Sequence, residues 1–234
     1  MKKKQEETSL EQIDFTASPL FRHLTTEENE KISKDRIISF YNKGTYIYHE
    51  GNRIGGCYVL INGIIKIFKT GIDGKEQIIR FAKPFDLIGF RSVLNGELAC
   101  TTAKTLEDST LCYITQESLF YLVKNNGSFS LELLQLACRE LGEANAYITD
   151  IAQKTVRERL AEIIVHLKNE FGVSKDNILQ ISLTREELAN IVGTATESVI
   201  RLLSEFKNDK LIEIEGRKIK LLNYNALIKV ANFT

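Results

Sequence analysis

Between Leu183 and Phe206 the chain reads LTREELANIVGTATESVIRLLSEF, two helical patterns either side of Gly193. Thr184 and Glu187 form a capping box that starts the first pattern, and Leu188, Ile191 and Val192 turn one face of it inward. Gly193 permits a left-handed helix end and the close approach of two helices. In the second pattern Val199, Leu202, Leu203 and Phe206 follow the i, i+3, i+4, i+7 spacing of a buried face. That leaves Thr196, Glu197, Ile200 and Arg201 on the outside. An isoleucine facing water beside a Glu–Arg pair needs a reason. Arg can donate two hydrogen bonds to guanine O6 and N7, Glu can accept from cytosine N4, and Ile can pack on a thymine methyl. The plain alternative is a surface ion pair one turn apart, worth about 0.3–0.5 kcal/mol, with a stray apolar neighbour. The residues downstream of Phe206 favour the groove. Two short strands, at about 211–215 and 218–222 around Gly216, make a wing. Helix, glycine turn, helix and wing is the winged helix-turn-helix order, whose second helix enters the major groove. Arg217, Lys218 and Lys220 lie in or near the wing tip, where phosphate passes.

Charge sets a limit on this reading. The 234 residues carry 31 Lys and Arg against 31 Asp and Glu, so a nucleic-acid role rests on a local patch. Residues 155–234 hold 12 Lys and Arg against 11 Asp and Glu. Non-specific affinity is expected to be low, and two reading heads on one duplex would help greatly. Cys57, Cys100, Cys112 and Cys138 form no CxxC pair and are expected to be reduced thiols. The N-terminal MKKKQEETSLEQ runs into acidic and polar residues rather than an apolar signal region. No apolar stretch approaches the ~20 residues of a membrane helix. A cytoplasmic protein without membrane association is expected.

Along the chain, residues 1–36 are polar, with a capping box of Thr25 and Glu28 expected to start a helix. From about 37 to 115, short β-rich runs alternate with glycine, among them GTYIYHEG, GGCYVLINGIIKIFKTG, KEQIIRFAKPFDLIG and STLCYITQ. Lys66 reads as outward against inward Ile65, Ile67 and Phe68 in a loose alternation, TGIDGKEQ as a hairpin turn with positive φ at Asp73-Gly74, and the whole as a β-sandwich or barrel. A long helix follows from about Phe129 to Ala152. Its Leu134, Ala137, Leu141, Ala144, Ile148 and Ile151 are spaced 3, 4, 3, 4, 3, the a/d rhythm of a coiled-coil seam, and predict a homodimer. VRERLAEIIVHLKNEFG is an amphipathic helix ending at Gly172, ILQISL a short strand, and YNALIKVA a last helix. Three parts are expected: an effector-sensing domain over 1–128, a dimerisation helix over 129–154 and a winged helix-turn-helix DNA-binding domain over 155–234. The fold class is α+β.

In this order, the pieces LTREELANIVGTATESVIRLLSEFKNDKLIEIEGRKIKLLN and EGNRIGGCYVLINGIIKIFKTGIDGKEQIIRFAKPFDLIG resemble the Crp/Fnr family of bacterial transcription regulators over about residues 18–230. The resemblance implies a double-stranded β-helix of cupin-like form, a β-roll, at the N terminus. It implies a dimer on an inverted-repeat operator in double-stranded DNA. Glu197 and Arg201 match the E-x-x-x-R of the family's recognition helix, which reads a G·C pair. Some members carry arginine where Thr196 stands, others serine where Ile200 stands, so the half-site is expected to keep its core G and differ beside it. The resemblance makes Arg185 and Ser198 phosphate contacts. It also makes RNA polymerase a partner candidate, through the loop GVSKDNILQ.

The same resemblance places the effector pocket at Gly89, Phe90, Arg91, Ser92, Thr101 and Thr102 of the roll and at Asn145 of the long helix. Cyclic-nucleotide-binding members have a glutamate after the glycine of the DLIG-like turn, then an Arg-Ser pair for the cyclic phosphate. Phe90 replaces that glutamate, and Arg91-Ser92 come too early to be the pair. The hydroxyl pair of the long helix falls near Ala144 and Asn145. A cyclic phosphate without its clamp would be a buried unpaired anion, so tight cyclic AMP binding is not expected. No cysteine precedes Cys57, so no iron–sulfur cluster is expected. Haem would need His23, His49 or His166, each an ordinary histidine by its surroundings. The effector is unknown, and control by abundance or thiol oxidation is a third option. The competing reading is a cupin-like small-molecule or metal-binding enzyme with a helical assembly region. It lacks the H-x-H and glutamate such a metal site needs, and no His cluster, nucleophile elbow or phosphate loop appears. No catalytic or metal-ligating residue is assigned, and the chain is read as a non-enzyme.

Overall fold

The computed structural model describes residues 18–232; the rest of the polar 1–36 segment lies outside the described residues. Helix α1 (Thr26–Asp35) starts at the expected capping box, with Thr25 and Glu28 satisfying each other's backbone amides. Eight strands follow: β1 (Ile37–Tyr41), β2 (Tyr46–Tyr48), β3 (Gly56–Asn62), β4 (Ile65–Thr70), β5 (Glu76–Ala82), β6 (Leu87–Ile88), β7 (Thr102–Thr105) and β8 (Ser109–Thr115). They form two four-stranded sheets, ordered β1-β8-β3-β6 and β2-β7-β4-β5. The pairs β1–β8, β8–β3, β3–β6, β2–β7 and β7–β4 are antiparallel.

Strand periodicity sends alternate side chains to opposite faces, and that builds two cores. Between the sheets pack Tyr48, Leu60, Ile65, Ile67, Ile88 and Leu111. On the other face of the first sheet, Cys57, Val59, Cys112 and Ile114 meet Phe21, Ile32, Phe90, Leu119, Leu122 and Phe129. The second core is contributed partly by helices α2 (Phe90–Asn95), α3 (Gln116–Asn125) and α4 (Gly127–Gln153). Lys66, read as outward, is buried, with its ammonium 4.8 Å from the Phe68 ring centroid. At the β4–β5 turn only Gly74 takes positive φ, not Asp73. Strand β7 and helix α2 are elements the sequence analysis does not anticipate.

The chain divides into two compact units: residues up to Thr70 with Ile79–Glu140, and Gly71–Ile78 with Leu141 onward. The β4–β5 turn therefore belongs to the second unit, and α4 is shared between the two. The second unit continues with α5 (Val156–Phe171), α6 (Arg185–Val192), α7 (Thr196–Asn208), β9 (Ile212–Glu215), β10 (Lys218–Leu221) and α8 (Tyr224–Ala231). ILQISL is not a strand: it makes only the isolated bridges Val173–Leu179 and Ile178–Lys220. At the α4–α5 elbow the Lys154 ammonium meets Glu162 at 2.8 Å and Asp150 at 2.9 Å. Burial draws its pKa down, but these carboxylates outweigh it and the net shift is upward. Among the described residues no helix is long and apolar enough to cross a membrane.

Candidate nucleic-acid interface

Helix α6 starts where Thr184 and Glu187 cap each other, and it ends at Gly193 in the left-handed conformation (φ 71°, ψ 51°). Val199, Leu202, Leu203 and Phe206 of α7 are buried, whereas Glu197, Ile200 and Arg201 are exposed, Ile200 to 48%. Thr196 and Ser198 are half-buried beside them. Ala195, the N-cap of α7, offers no side-chain acceptor, and the Ser198 amide donates instead to the Ala195 carbonyl at 3.1 Å. Arg201 does not pair with Glu197. Its guanidinium donates to Glu205 at 2.8 Å, one turn the other way. In the wing, β9 and β10 pair with Lys218 opposite Glu215 and Lys220 opposite Glu213. Arg217 and Lys218 are exposed at the tip. Arg185 donates to the wing-turn carbonyl of Gly216 at 2.8 Å, while its second terminal nitrogen is buried without a partner. That burial lowers its pKa.

The turn between α6 and α7 is gripped from several sides within the second unit. The last carbonyls of a helix lack intrahelical donors, and here side chains supply them. Gln77 donates to Asn190 at 2.6 Å, the Tyr147 hydroxyl to Ile191 at 3.2 Å, Arg159 to Val192 at 3.1 Å and Lys75 to Thr194 at 2.6 Å. Gln77 also donates to the Tyr147 hydroxyl at 2.7 Å. Nothing local in the sequence marks these residues, since they meet the turn across long separations. A Cβ at Gly193 would stand 3.3 Å from the Tyr147 hydroxyl and 3.5 Å from Gln77 Oε1. Gly193→Val combines that crowding with a β-branched residue at positive φ. It is expected to lower stability by about 2–3 kcal/mol in denaturant unfolding and to weaken DNA binding.

On α4, Leu134, Leu141, Ile148 and Ile151 are exposed, the first three by more than 60%. Ala144 is exposed too, and Ala137 packs in part against the core. One helix thus carries an apolar stripe the single chain does not cover.

Residues 38–126 match the cyclic nucleotide-binding domain family, and residues 158–230 the Crp-like helix-turn-helix domain. The transcriptional activator protein Anr of Pseudomonas protegens is 28% identical over 216 residues, covering 90% of this chain and 88% of that one. The fumarate and nitrate reduction regulatory protein of Escherichia coli K12 is 28% identical over 227 residues, covering 94% and 90%. The chain belongs to the Crp/Fnr family of transcription regulators. Solved folds agree. A Crp/Fnr-family regulator from Eubacterium rectale superposes with a TM-score of 0.75 at 20% identity, covering 92% of this chain and 98% of that one. FixK2 of Bradyrhizobium japonicum does so with 0.75 at 22%, covering 83% and 96%.

In this Crp/Fnr regulator the expected pocket residues of the first unit are engaged in different ways. Phe90 is 3% exposed in the core outside the sheet sandwich, and Arg91 points to solvent. Ser92 is buried, and its hydroxyl accepts from the Cys100 amide at 3.4 Å. Thr102 accepts from the Glu50 amide at 3.0 Å. Gly89, at φ 79°, caps α2. Asn145 is exposed in the second unit. Thr101 belongs to a polar cluster of the first unit whose Tyr48, Arg80, Cys100 and Glu140 no local pattern in the sequence marks. Tyr48 is buried and its phenol pKa is raised, chiefly by that burial, with a hydrogen bond to Thr101 and the charges of Arg80, Cys100 and Glu140 nearby. Arg80 is already neutralised by Glu140 at 3.0 Å and Asp86 at 3.5 Å.

The thiols are graded. Burial pushes Cys57 up to about 12 and Cys112 to about 11, and both are buried, while Cys138 is exposed. Because the thiolate is the reactive form, native protein is expected to react with a thiol reagent first at Cys138. Cys57 and Cys112 should wait for unfolding, as counted by mass spectrometry.

Proposed function

We propose that the regulator acts as a homodimer on an inverted-repeat operator. Glu197, Ile200 and Arg201 of α7 read base edges, and Thr196 borders them. Ser198, Arg217 and Lys218 lie at the phosphates, and Arg185 sets the wing from its side. The observation that carries this is the split of α7 into a fully buried face and an exposed face holding an isoleucine between two groups suited to a G·C pair. The stripe Leu134, Ala137, Leu141, Ala144, Ile148 and Ile151 supplies the second copy, since exposed leucines at a/d spacing are stabilised by burial in a coiled coil. The functional parts are then sensing over 1–128, dimerisation over 129–154 and DNA binding over 155–234. Relatives named as activators make RNA polymerase a further partner. Selection of bound sequences from random duplex DNA tests the reading. A two-fold symmetric motif is expected, and recovery of no motif overturns it.

The effector is not cyclic AMP. Arg91 faces solvent, and Arg80 is held by two carboxylates, so the first unit offers a cyclic phosphate no uncommitted arginine at these positions. Burying that anion unpaired is costly. Calorimetric titration with cyclic AMP is expected to show no saturable heat, and micromolar or tighter binding would contradict it.

A further inference from the structure

Tyr147 stands on α4 between Ala144 and Ile148 of the apolar stripe, and its hydroxyl donates to the Ile191 carbonyl at the end of α6. The stripe from Leu141 onward and the reading head therefore meet inside one compact unit. Gly193 leans on the same helix: a Cβ there would stand 4.0 Å from Cδ1 of Ile151, the last residue of the stripe. Two further ties arrive from other directions. Gln77 Nε2 reaches both the Tyr147 hydroxyl at 2.7 Å and the Asn190 carbonyl at 2.6 Å. Arg159 joins the α4–α5 elbow to the turn, donating to the Lys154 carbonyl at 2.8 Å and to that of Val192 at 3.1 Å. None of these bonds uses Glu197, Ile200 or Arg201, whose side of α7 stays exposed. We propose that the clasp of Tyr147 and Gln77 on the α6–α7 turn determines which half-site spacing the dimer accepts. The proposal rests on the reading of α7 as the groove helix of a dimer joined along α4.

In a two-fold dimer the stripe lies against the symmetry axis. The separation and relative rotation of the two α7 helices then follow from how each head is fixed to its own stripe. One base pair added between the half-sites moves them apart by about 3.4 Å and turns them by about 35°. Shared between two heads, that displacement still exceeds what hydrogen bonds of 2.6 to 3.2 Å can follow. At the matching spacing each clasp stays closed, and binding takes nothing from it. At a shifted spacing at least one clasp must open before both heads can seat. That cost falls on the shifted duplex alone, so it enters the ratio between the two. One net intramolecular hydrogen bond corresponds to a factor of about 2 to 13.

Tyr147→Phe tests this in the full chain, since it keeps the ring and removes the hydroxyl that serves two of the bonds. Gln77→Ala opens the clasp from the other side and provides the test should the first variant not fold. Affinity is measured by fluorescence anisotropy on three duplexes. They are the duplex recovered by selection, the same half-sites with one base pair inserted at the centre, and a single half-site. In each variant the ratio of matching to inserted affinity is expected to fall about three- to tenfold. Single half-site affinity should change less than about twofold. A merely structural role would lower the fraction of folded protein, and with it all three affinities alike, leaving the ratio alone. A ratio that either folded variant leaves unchanged overturns the proposal. Tighter binding of the matching duplex also overturns it, because the clasp would then hold the heads at the wrong spacing. An unsubstituted protein that selects a two-fold motif yet accepts the inserted base pair equally well sinks this proposal alone. No two-fold motif at all contradicts the dimer and groove reading, and this proposal with it.

Discussion

Arg201→Ala is expected to remove most of the discrimination between operator and random DNA while leaving the fold intact. One bidentate arginine–guanine contact is worth about 1–3 kcal/mol of discrimination. A symmetric dimer loses two, about 2–6 kcal/mol, or on the order of 30- to 10⁴-fold in affinity for the selected duplex. Binding to a scrambled duplex should fall far less, because only a phosphate-strength contact is lost there. The fold is spared because Arg201 is exposed and its partner Glu205 keeps a second arginine. Titration of both duplexes with both proteins, beside a thermal melt, checks this. Equal losses on the two duplexes would make Arg201 a phosphate contact and not a reader.

Leu141→Glu should separate the protomers. Leu141 is 62% exposed in the single chain, so the substitution disturbs little inside it. In a seam the leucine would be buried in both copies, worth about 1.5–3 kcal/mol each, and the variant would set two carboxylates against each other. Sedimentation is expected to give monomer at micromolar concentration with unchanged far-ultraviolet circular dichroism. Losing the second head removes the effective-concentration advantage, about 10²–10⁴-fold on the inverted repeat. A variant that stays dimeric would place the interface elsewhere.

Much of the reading head was legible because its signals are local. The capping box at Thr184, the left-handed Gly193 and the buried Val199–Phe206 face each depend on residues within two turns. The exposed stripe of α4 came the same way from spacing alone. What failed depended on distant partners. Arg201 had a carboxylate one turn away on each side, and pattern alone favours neither strongly. Arg157, 48 residues earlier, settles it by anchoring Glu205. Gln77 and Lys75 reach the turn from 113 and 119 residues away, which no local period encodes. Lys66 was misjudged because strand alternation says which face a side chain takes, not whether that face is covered. Family resemblance alone assigns the effector pocket, and nothing local in the sequence says which way Phe90 and Arg91 face. The short helix α2 turns Phe90 into the outer core and Arg91 to solvent.

In the proposed complex the outer face of α7 meets base edges in the major groove, twice per dimer. Methylation interference at guanine N7 tests it most directly, since that atom lies in the major groove and is one of the two acceptors Arg201 would use. Methylating one guanine in each half-site is expected to block binding, with the two positions about 10 base pairs, one helical turn, apart. Arg201→Ala is expected to be insensitive to both modifications. Interference at no guanine, or only at atoms of the minor groove, would contradict it.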